Sequence, residues 1–393
     1  MVSRHIILFL LLVILPDLYI FIRYIRPRRM AVWKKLLWLC PGLFLIIFLV
    51  MMATARDFIP HNRIILYFFL ACMGLLVATK AAFALFSIMG RGVARLFHSK
   101  RNWGNLVGLI AVGYLCYATI YGLSVGFAQF EVRRVDCYFE QLPRAFDGYK
   151  IALFSDAHVG SYMGGDQEIL KTALDSINAQ DADMVCFTGD LINMRAEEIE
   201  PHRHLLNSLQ SRDGVYSVLG NHDYAAYVKA DSAEKVTLER RVVDSERELG
   251  WTLLLNEHRI IRRGADSIYV AGMENMGKME EVARGDVAKT VAGIPDGAFT
   301  IMLQHDPTAW RSHILPESKA QLTFSGHTHG GQISLFGFSP AAMAYDEYNG
   351  MYDEGGRIIY VTSGLGGLVP LRFGVPGEIV VVTLHKGLNP QSP

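Results

Sequence analysis

The sequence predicts an α-helical membrane segment of four spans, followed by an α/β domain with a four-layer α-β-β-α arrangement. Hydrophobic residues make up 51% of the 393 residues and the mean hydropathy is +0.22, which is more apolar than an ordinary soluble enzyme. Residues 1–129 carry 14 Lys and Arg against only Asp17 and Asp57, whereas residues 130–393 carry 24 basic and 36 acidic residues. From about Phe130, short β-rich runs alternate with helical patterns. We therefore expect a membrane region over 1–129 and a folded domain over 130–393.

Four apolar runs lie in the first region, and each is long enough to cross about 30 Å of hydrocarbon as a helix. They cover residues 6–22, 36–55, 64–90 and 106–127. The first run is similar to the apolar part of a signal peptide, but Arg-Pro-Arg-Arg follows it where a small-residue cleavage site would stand. We expect this run to be retained as a helix, which makes the protein a multi-pass membrane protein.

The orientation is predicted from the Lys and Arg residues of the short loops, because such residues favour the cytoplasmic side. Two loops are rich in them: Arg23, Arg26, Arg28, Arg29, Lys34 and Lys35 in the first, and Arg91, Arg95, Lys100 and Arg101 in the third. The second loop holds only Arg56 and Arg63. Both termini and the second domain are therefore expected on the outer side, although Arg133 and Arg134 after the fourth run oppose this orientation.

Asp17 and Lys80 interrupt the first and third apolar runs, where a charge is costly and is often functional. In one interpretation they form the polar pair of a membrane sensor or transport component that the second domain modulates. In the other they are structural: Asp17 pairs within the helix bundle, and Lys80 reaches the interface or marks the end of a shorter span.

Composition disfavours two kinds of site. A nucleic-acid surface needs basic residues on one folded face, whereas here they cluster between apolar runs, so no nucleic-acid partner is expected. Cys40, Cys72 and Cys116 lie in apolar runs, and Cys137 and Cys186 lack a paired metal spacing. Neither a disulfide framework nor a cysteine zinc site is predicted, and the redox compartment stays open.

The second domain contains short apolar runs that are expected to form strands. These runs cover residues 150–155, 184–188, 215–219, 298–304, 321–325, 358–362 and 378–384. Ile169, Ala173, Leu174 and Ile177 keep helical spacing between the first two runs. The charged stretch 224–250 is expected to be a solvated surface helix beside the site.

Polar motifs follow these strands at their carboxyl ends, where α/β sheets place their sites. In chain order they are Asp156-Ala157-His158, Gly189-Asp190-Leu191-Ile192-Asn193, Gly220-Asn221-His222-Asp223, Gln304-His305 and Gly326-His327-Thr328-His329. Asp-x-His or Gly-Asn-His-Asp alone is more often an ordinary turn, whereas Gly-His-Thr-His is a stronger signal because glycine allows the backbone to approach an ion closely. The joint occurrence of all five motifs at strand ends indicates a metal site. Two divalent cations about 3.5–4 Å apart need a bridging carboxylate. Imidazole, carboxylate and amide ligands without thiolate suit manganese, iron or zinc.

The order of these motifs resembles that of the calcineurin-like metallophosphoesterases, over about residues 130–385. Flanking segments are similar to a membrane-associated bacterial branch linked to the cell envelope, namely Leu142-Pro143, Gly148-Tyr149-Lys150, Gly330-Gly331-Gln332, Gly364-Leu365-Gly366, Pro370-x-Arg372-Phe373 and Glu378-Ile379. The four apolar runs resemble the N-terminal membrane region of the proteins of that branch that span the membrane several times. This resemblance implies a calcineurin-like phosphoesterase domain and a metal-dependent hydrolase.

The resemblance also implies roles for the matching residues. One metal would be bound by Asp156, His158 and His329, and the other by Asn221, His305 and His327, with Asp190 bridging. Manganese is the first expectation for both ions, with iron or zinc as alternatives. The catalytic pair would be His222, which faces the phosphate and binds neither metal, and Asp223, which is placed to orient it.

One position departs from the family pattern. Many relatives carry an arginine just before the Gly-Leu-Gly, where this chain has Ser363. Arg372 is the candidate to replace the substrate contact that such an arginine would make. The remaining histidines of the second domain have no partner motif and are expected to be structural or solvent-facing, namely His202, His204, His258, His313 and His385.

The expected function is hydrolysis of a phosphomonoester or phosphodiester at the membrane surface, on a lipid-linked or cell-envelope substrate. A domain that faces the cytoplasm would instead be a hydrolase of nucleotide-linked lipid precursors. A catalytically inactive scaffold is a further hypothesis, which the intact ligand set opposes. The expected partners are the phosphoester substrate and the lipid bilayer, and the oligomeric state is left open.

Overall fold

The protein is described by a computed structural model that covers residues 2–54 and 63–389. The chain divides into two compact units, Met1–Ser124 and Val125–Pro393. Arg56 and Asp57, which entered the charge and orientation predictions, lie outside the described residues, as do the side chain of Arg63 and the end of the second apolar run. Each unit is treated below by itself.

The described part of the first unit is helical. Its α-helices are α1 (Val2–Ile20), α2 (Val32–Leu37), α3 (Cys40–Thr54), α4 (Arg63–Cys72), α5 (Thr79–Leu96) and α6 (Gly104–Ser124). π-Helical turns at Phe21–Ile25 and Met73–Ala78 extend α1 and join α4 to α5. Four stretches are long and apolar enough to cross a membrane, namely Ile7–Ile25, Val32–Met52, Ile64–Leu96 and Gly104–Ser124. The four predicted spans are therefore confirmed as helices of that length and composition.

Polar side chains inside this unit meet one another. Nζ of Lys80 donates to Oδ1 of Asp17 at 2.6 Å, and both side chains are mostly buried. Gly42 makes room for this pair, since a Cβ there would lie within 2.1 Å of the Asp17 carboxylate. In an apolar surrounding a buried charge needs such a partner. Asp17 thus pairs within this helical unit, but its partner is Lys80, the same pair that the sensor interpretation names. The third span continues to Leu96, so Lys80 does not mark the end of a shorter span.

The described residues of the second unit form two six-stranded sheets. The strands are β1 (Phe130–Phe139), β2 (Tyr149–Phe154), β3 (Met184–Phe187), β4 (Val215–Ser217), β5 (Thr252–Leu253), β6 (Glu257–Arg263), β7 (Asp266–Gly272), β8 (Thr300–Leu303), β9 (Leu322–Ser325), β10 (Gly350–Glu354), β11 (Arg357–Val361) and β12 (Gly377–Lys386). The first sheet has the order β1-β12-β2-β3-β4-β5 and the second β10-β11-β9-β8-β7-β6. In the first sheet only β12 with β2 is antiparallel, and in the second the two outer pairs are antiparallel.

The two sheets pack face to face through one apolar core. Alternate residues of each strand point inward, as Ile151 and Leu153 do from β2 and Ile301 and Leu303 from β8, and these side chains are fully buried. Because the opposite faces are also apolar, helices cover both of them. The predicted α-β-β-α layering is thereby confirmed.

Helices α7 (Gln167–Asn178), α8 (Arg203–Leu206) and α9 (Ser232–Glu248) follow β2, β3 and β4 in the chain. Leu170, Leu174 and Ile177 of α7 pack in the outer core of the first sheet, together with Val242 of α9. The outer face of the second sheet is covered by α10 (Val287–Thr290), the π-helical turn Trp310–Ile314 and α11 (Leu315–Glu317).

The charged stretch 224–250 forms a surface helix with a mostly exposed face over part of its length, and it differs from the expectation in two respects. The helix α9 begins only at Ser232, where the Asp231 side chain accepts a hydrogen bond from the backbone N–H of Glu234 and caps it. Glu246, in its last turn, is fully buried, and neither carboxyl oxygen has a hydrogen-bond partner among the described residues.

Candidate active site

The predicted site residues lie at the carboxyl ends of strands in both sheets. In the first sheet Asp156 follows β2, Asp190 follows β3 and Asn221 follows β4, and these three strands are parallel neighbours. In the second sheet His305 follows β8 and His327 follows β9, which are also parallel neighbours. Parallel strands end at the same edge of a sheet, so each sheet delivers its polar side chains together.

Five of the predicted ligands have a left-handed backbone. The φ angles are 51° at Asp156, 44° at His158, 59° at Asp190, 71° at His327 and 52° at His329. Asp and His tolerate this region better than most residues, but it still costs free energy outside glycine. Such strain collects at functional sites, where the surrounding structure holds it in place.

Two glycines allow the segments to approach closely. A Cβ on Gly220 would lie 2.2 Å from Oδ1 of Asp190, and one on Gly326 would lie 2.3 Å from Oδ2 of Asp156. Neither position therefore has room for a larger residue without moving a carboxylate. The glycines that open the third and fifth strand-end motifs thus have a direct packing reason.

One cluster of ligand atoms consists of Asp156, His158 and His329, whose atoms all lie within 4.8 Å of one another. Nε2 of His329 lies 3.4 Å from Oδ1 of Asp156, and the imidazoles of His158 and His329 stack with centroids 5.2 Å apart. Both Asp156 oxygens accept from the backbone N–H of His327, at 3.1 and 3.0 Å. Asp156 and His158 are fully buried.

A second cluster consists of Asp190, His305 and His327. Nε2 of His305 lies 3.2 Å from Oδ2 of Asp190 and 3.1 Å from Oδ1 of Asn221, which in turn lies 2.7 Å from Nδ1 of His327. Nε2 of His158, from the first cluster, lies 3.6 Å from the same Asp190 oxygen. Asp190 therefore stands between the two clusters, where a bridging carboxylate was predicted.

Burial and neighbouring charges shift the pKa values of these groups. Burial raises the pKa of Asp156 to about 6 and lowers that of His158 to about 3. Burial alone would raise the pKa of Asp190, but the surrounding imidazoles, His305 first among them, hold it well below its ordinary value. Burial likewise opposes the charged form of His305, yet Asp190 raises the pKa of this imidazole to about 10. Asp190 is therefore the carboxyl group of this site that most favours its ionised form, whereas burial raises the pKa of Asp156 and Asp223.

The donor set fits divalent cations. Nε2 of His158 and Nδ1 of His329 are buried, and neither meets a hydrogen-bond partner among the described residues. A buried polar nitrogen without a partner is costly unless another group binds it. Imidazoles, carboxylates and an amide oxygen around a shared carboxylate are ligands that manganese, iron or zinc accept.

His222 lies beside the ligand clusters, and one of its ring nitrogens is within 4.8 Å of the His158 and Asp190 ligand atoms. Its Nδ1–H donates to the carbonyl oxygen of Asn193 at 2.7 Å, and its ring stacks on Tyr227 with centroids 4.3 Å apart. Burial lowers the pKa of His222. Because Nδ1 is engaged by a carbonyl, Nε2 is the nitrogen left to act on a substrate.

Asp223, which was expected to orient His222, accepts its hydrogen bonds within the described residues from backbone groups and not from the His222 ring. Its carboxylate accepts from four backbone N–H groups, those of Gly220, Asp190, Leu191 and Ile192, at 2.8 to 3.3 Å. The carbonyl of Asn193 holds the imidazole instead. Asp223 therefore fixes the backbone that carries Asp190 and leads to Asn193. Burial, followed by the charge of Asp190, raises the pKa of Asp223 to about 7.

Three further side chains contact the predicted ligands and were not anticipated. The Tyr345 hydroxyl lies 3.1 Å from Nε2 of His327, and Oδ2 of Asp306 lies 3.6 Å from the same nitrogen. The Tyr227 hydroxyl accepts from Nδ2 of Asn221 at 2.7 Å. Tyr227 and Tyr345 come from loops outside every motif, so no local pattern marks them. Asp306 follows His305 directly, and that adjacency was the one available signal.

The expectation that Arg372 contacts substrate is wrong. Its guanidinium is fully buried and donates to the backbone carbonyls of Ser363, Gly364, Gly366, Val375 and Pro376. The loop it holds packs on the first cluster, because the N–H of Leu365 donates to the Ser155 carbonyl and that of Gly366 to the Asp156 carbonyl. Ser363 is buried as well, and its hydroxyl donates to the Pro376 carbonyl. Arg372 thus supports the loop behind Asp156.

The other histidines of this unit have structural surroundings. His202 is buried and His204 is exposed. Nδ1 of His258 lies 3.0 Å from the Thr290 carbonyl. His313 pairs with Glu317 and His385 with Asp136, both near the surface. None of the five belongs to a metal-binding cluster of the described residues.

Comparisons with known proteins show what both parts of the chain are similar to. A family model for the calcineurin-like phosphoesterases matches residues 149–331, and a second, for their four-span transmembrane domain, matches residues 3–127. A metallophosphoesterase of Bacillus subtilis is 33% identical over 62% of this chain and 82% of its own length. A zebrafish transmembrane protein with a metallophosphoesterase domain is 26% identical over 83% of this chain and 75% of its own. The UDP-2,3-diacylglucosamine pyrophosphatase LpxG of Chlamydia trachomatis is 28% identical over 61% and 86%, respectively.

Proposed function

The chain belongs to the calcineurin-like metallophosphoesterases, and from this premise we propose that it hydrolyses a phosphoester at the membrane surface with two divalent metal ions. The observation that carries the proposal is the position of Asp190 between two clusters of buried ligand atoms. Two cations this close repel each other, and a shared carboxylate offsets that repulsion. Asp156, His158 and His329 would hold one ion, and Asn221, His305 and His327 the other.

Metal ions bound there supply Lewis-acid stabilisation of phosphoryl charge and activate water for attack. The residues of the chain set the geometry around them. Asp223 holds the Asp190 backbone by hydrogen bonds, and the Arg372 loop backs Asp156. Tyr345 and Asp306 lie at Nε2 of His327 and fix the orientation of its ring.

His222 would act on the substrate and bind neither ion. The Asn193 carbonyl keeps a proton on Nδ1, so that Nε2 faces the reacting group. Protonated at Nε2, the imidazole donates to the departing oxygen or stabilises the charge on the phosphoryl group. The stacked Tyr227 ring limits rotation of the imidazole.

The substrate is a phosphoester that is lipid-linked or belongs to the cell envelope. Four membrane spans in the same chain keep the catalytic domain close to a bilayer. The name of the Chlamydia trachomatis relative, a UDP-2,3-diacylglucosamine pyrophosphatase, supports a substrate that carries acyl chains. Manganese is the first metal to test, because hard oxygen ligands and imidazole both suit it.

The catalytic domain is proposed to lie on the outer side of the membrane, where the Lys and Arg distribution of the loops places it. The nucleotide-linked substrate in the name of the Chlamydia trachomatis relative favours the alternative, a cytoplasmic domain that cleaves nucleotide-linked lipid precursors. A topology reporter fused after residue 393 separates the two. Reporter activity on the cytoplasmic side would refute the outer placement and favour the precursor hydrolase.

The dinuclear centre is tested by Asp190→Asn in the full chain. A neutral amide leaves the repulsion between two cations uncompensated, so we expect loss of most bound metal together with most turnover of an aryl phosphodiester. Asp296→Asn makes the same change at an exposed carboxylate that pairs with Lys319, and it should leave both quantities unchanged. Near-normal turnover with full metal occupancy in Asp190→Asn would contradict the dinuclear assignment.

A further inference from the structure

One loop of the second unit combines apolar character with unusual exposure. Residues 333–344, here termed the rim loop, read Ile-Ser-Leu-Phe-Gly-Phe-Ser-Pro-Ala-Ala-Met-Ala and contain no charged side chain. Phe336 is 89% exposed, Met343 81% and Phe338 55%. Single exposed apolar residues are ordinary, but three large ones within eight positions of an uncharged segment mark an interaction surface.

The rim loop is held in this exposed form by its own hydrogen bonds. Leu335 and Phe338 exchange two backbone hydrogen bonds, at 2.9 and 3.0 Å, which closes a tight turn around Phe336 and Gly337. The Ser339 hydroxyl donates to the Gly330 carbonyl at 2.7 Å, and the Ser334 N–H donates to the Phe373 carbonyl at 2.7 Å. The aromatic tip is therefore a fixed feature of the loop.

Both ends of the rim loop belong to the active site. The loop follows His329-Gly330-Gly331-Gln332 directly, and His329 is a predicted metal ligand. Tyr345 follows the loop directly, and its hydroxyl lies 3.1 Å from Nε2 of His327, another predicted ligand. Whatever the rim loop binds is consequently presented beside the metal centre.

A cation lies at the C-terminal end of the rim loop. Nζ of Lys278 donates to the Ala344 carbonyl at 2.8 Å and lies 4.9 Å from the centre of the Tyr345 ring. A loop with exposed aromatic rings at its tip and a basic residue at its end has the composition of a segment that binds a lipid interface, because aromatic rings enter the headgroup–acyl boundary while a cation meets anionic headgroups.

We propose that the rim loop inserts into the surface of the bilayer, so that the active site takes phosphoester headgroups directly from the membrane. The four membrane spans argue for lipid as the occupant, because they keep a bilayer within reach of this domain in every copy of the chain. The inference rests on the proposed function, since it specifies how that site meets a lipid-linked substrate. It also assigns Phe336, Phe338 and Met343 to substrate access.

The test measures insertion separately from catalysis. Full chains with Phe336→Cys or Met343→Cys are labelled with the fluorophore nitrobenzoxadiazole and reconstituted in phosphatidylethanolamine–phosphatidylglycerol vesicles. Met351→Cys, in exposed strand β10, is the matched control, and the signal of the natural chain with its five cysteines is subtracted. We expect a blue-shifted emission at positions 336 and 343 and several-fold stronger quenching by brominated lipid than at 351. Hydrolysis of a soluble aryl phosphodiester is recorded on the same samples.

Each outcome decides one claim. Equal quenching by aqueous iodide at all three positions would overturn the insertion proposal while leaving hydrolysis to report on the proposed function. Protection from iodide without quenching by brominated lipid would mean that a protein surface covers the rim loop, and would also overturn it. Lipid quenching in a chain that hydrolyses no phosphodiester would support insertion and refute the proposed function.

Discussion

At the scale of single residues, His222 separates catalysis from metal binding. We predict that His222→Ala keeps its metal content while turnover falls by about 10²–10⁴-fold, the usual range for general acid–base help. The loss should be greater for alkoxide leaving groups than for stabilised aryl oxides, which depart without a proton. Metal analysis and turnover on paired substrates measure both effects.

Two other results for His222→Ala would change its assignment. An equal loss of turnover on both kinds of substrate would mean that His222 stabilises the phosphoryl charge and does not protonate the leaving group. Purification without metal would show that His222 is a ligand, a role its distance from His158 and Asp190 permits.

Arg372 supplies a second prediction. Arg372→Ala removes the donor of the Ser363, Gly366 and Val375 carbonyls, whereas those of Gly364 and Pro376 still accept from the Glu378 N–H and the Ser363 hydroxyl. We expect a loss of about 3–5 kcal/mol in the free energy of unfolding and weaker metal retention on dialysis. Arg241→Ala, which breaks an exposed pair with Glu197, should cost less than about 1 kcal/mol. Thermal unfolding of the two variants compares them. Similar melting temperatures would contradict the supporting role.

The sequence indicates the candidate ligands more readily than the groups that hold them. The candidate ligands stand in local motifs at strand ends, where spacing along the chain makes them recognisable. The groups that hold them come from distant segments, as the Asn193 carbonyl does for His222 and Tyr345 for His327. The misassignment of Arg372 has the same origin, because its five partners are backbone carbonyls that every sequence contains.

At the scale of elements, the strands that the sequence did not predict lie mostly at sheet edges. Strands β1 and β5 are the edges of the first sheet, and β6 and β10 those of the second. Edge strands carry charged residues on their exposed faces, as Arg133 and Arg134 do in β1, and so lack the continuous apolar run of a central strand. The internal strand β7 begins with the polar residues Asp266 and Ser267. The apolar part that follows them is short, and it was not identified as a strand from the sequence.

Helix α9 gives a prediction that depends on pH. Burial raises the pKa of Glu246 well above its ordinary value, so the folded state keeps a proton that the unfolded state releases above about pH 4.3. Stability therefore falls as pH rises above that value, because the folded state binds more protons. Glu246→Gln removes this dependence, and its advantage in melting temperature over the natural chain should grow from about pH 5 to about pH 8.

The control for this prediction is Glu248→Gln in the same helix turn. Glu248 is exposed and pairs with Arg203, so its replacement should shift the melting temperature little. An advantage of Glu246→Gln that stays constant with pH would show that the buried carboxyl is ionised in the folded chain.

At the scale of the whole molecule, the structure predicts where a truncated catalytic domain should begin if it is to keep its stability. Phe127 is buried against Tyr162, with ring centroids 5.3 Å apart, and the Gln129 carbonyl accepts from the Gly377 N–H. A chain that begins at Val125 should be more stable than one that begins at Phe130, by about 1.5–3 kcal/mol for the buried aromatic ring. Thermal unfolding of both chains measures this difference.

A third truncated chain tests whether Phe127 is the cause of this difference in stability. The Val125 chain with Phe127→Ala should melt near the temperature of the Phe130 chain, because it lacks the same packing. Equal stability of all three chains would mean that Phe127 contributes nothing to the catalytic domain. Hydrolysis by the Val125 chain should require added divalent metal, and activity that survives a chelator would point to another chemistry.

The left-handed backbone of five predicted ligands has a consequence for how such a chain changes over generations. Glycine adopts the left-handed region without a Cβ clash, so backbone strain alone favours replacing Asp156, His158, Asp190, His327 and His329 by the residue that abolishes their chemistry. Selection for hydrolysis opposes that drift, as do the backbone hydrogen bonds that the two carboxylates accept. A lineage released from this selection should therefore lose its metal centre first, while the two sheets and their core persist as an inert and more stable remnant.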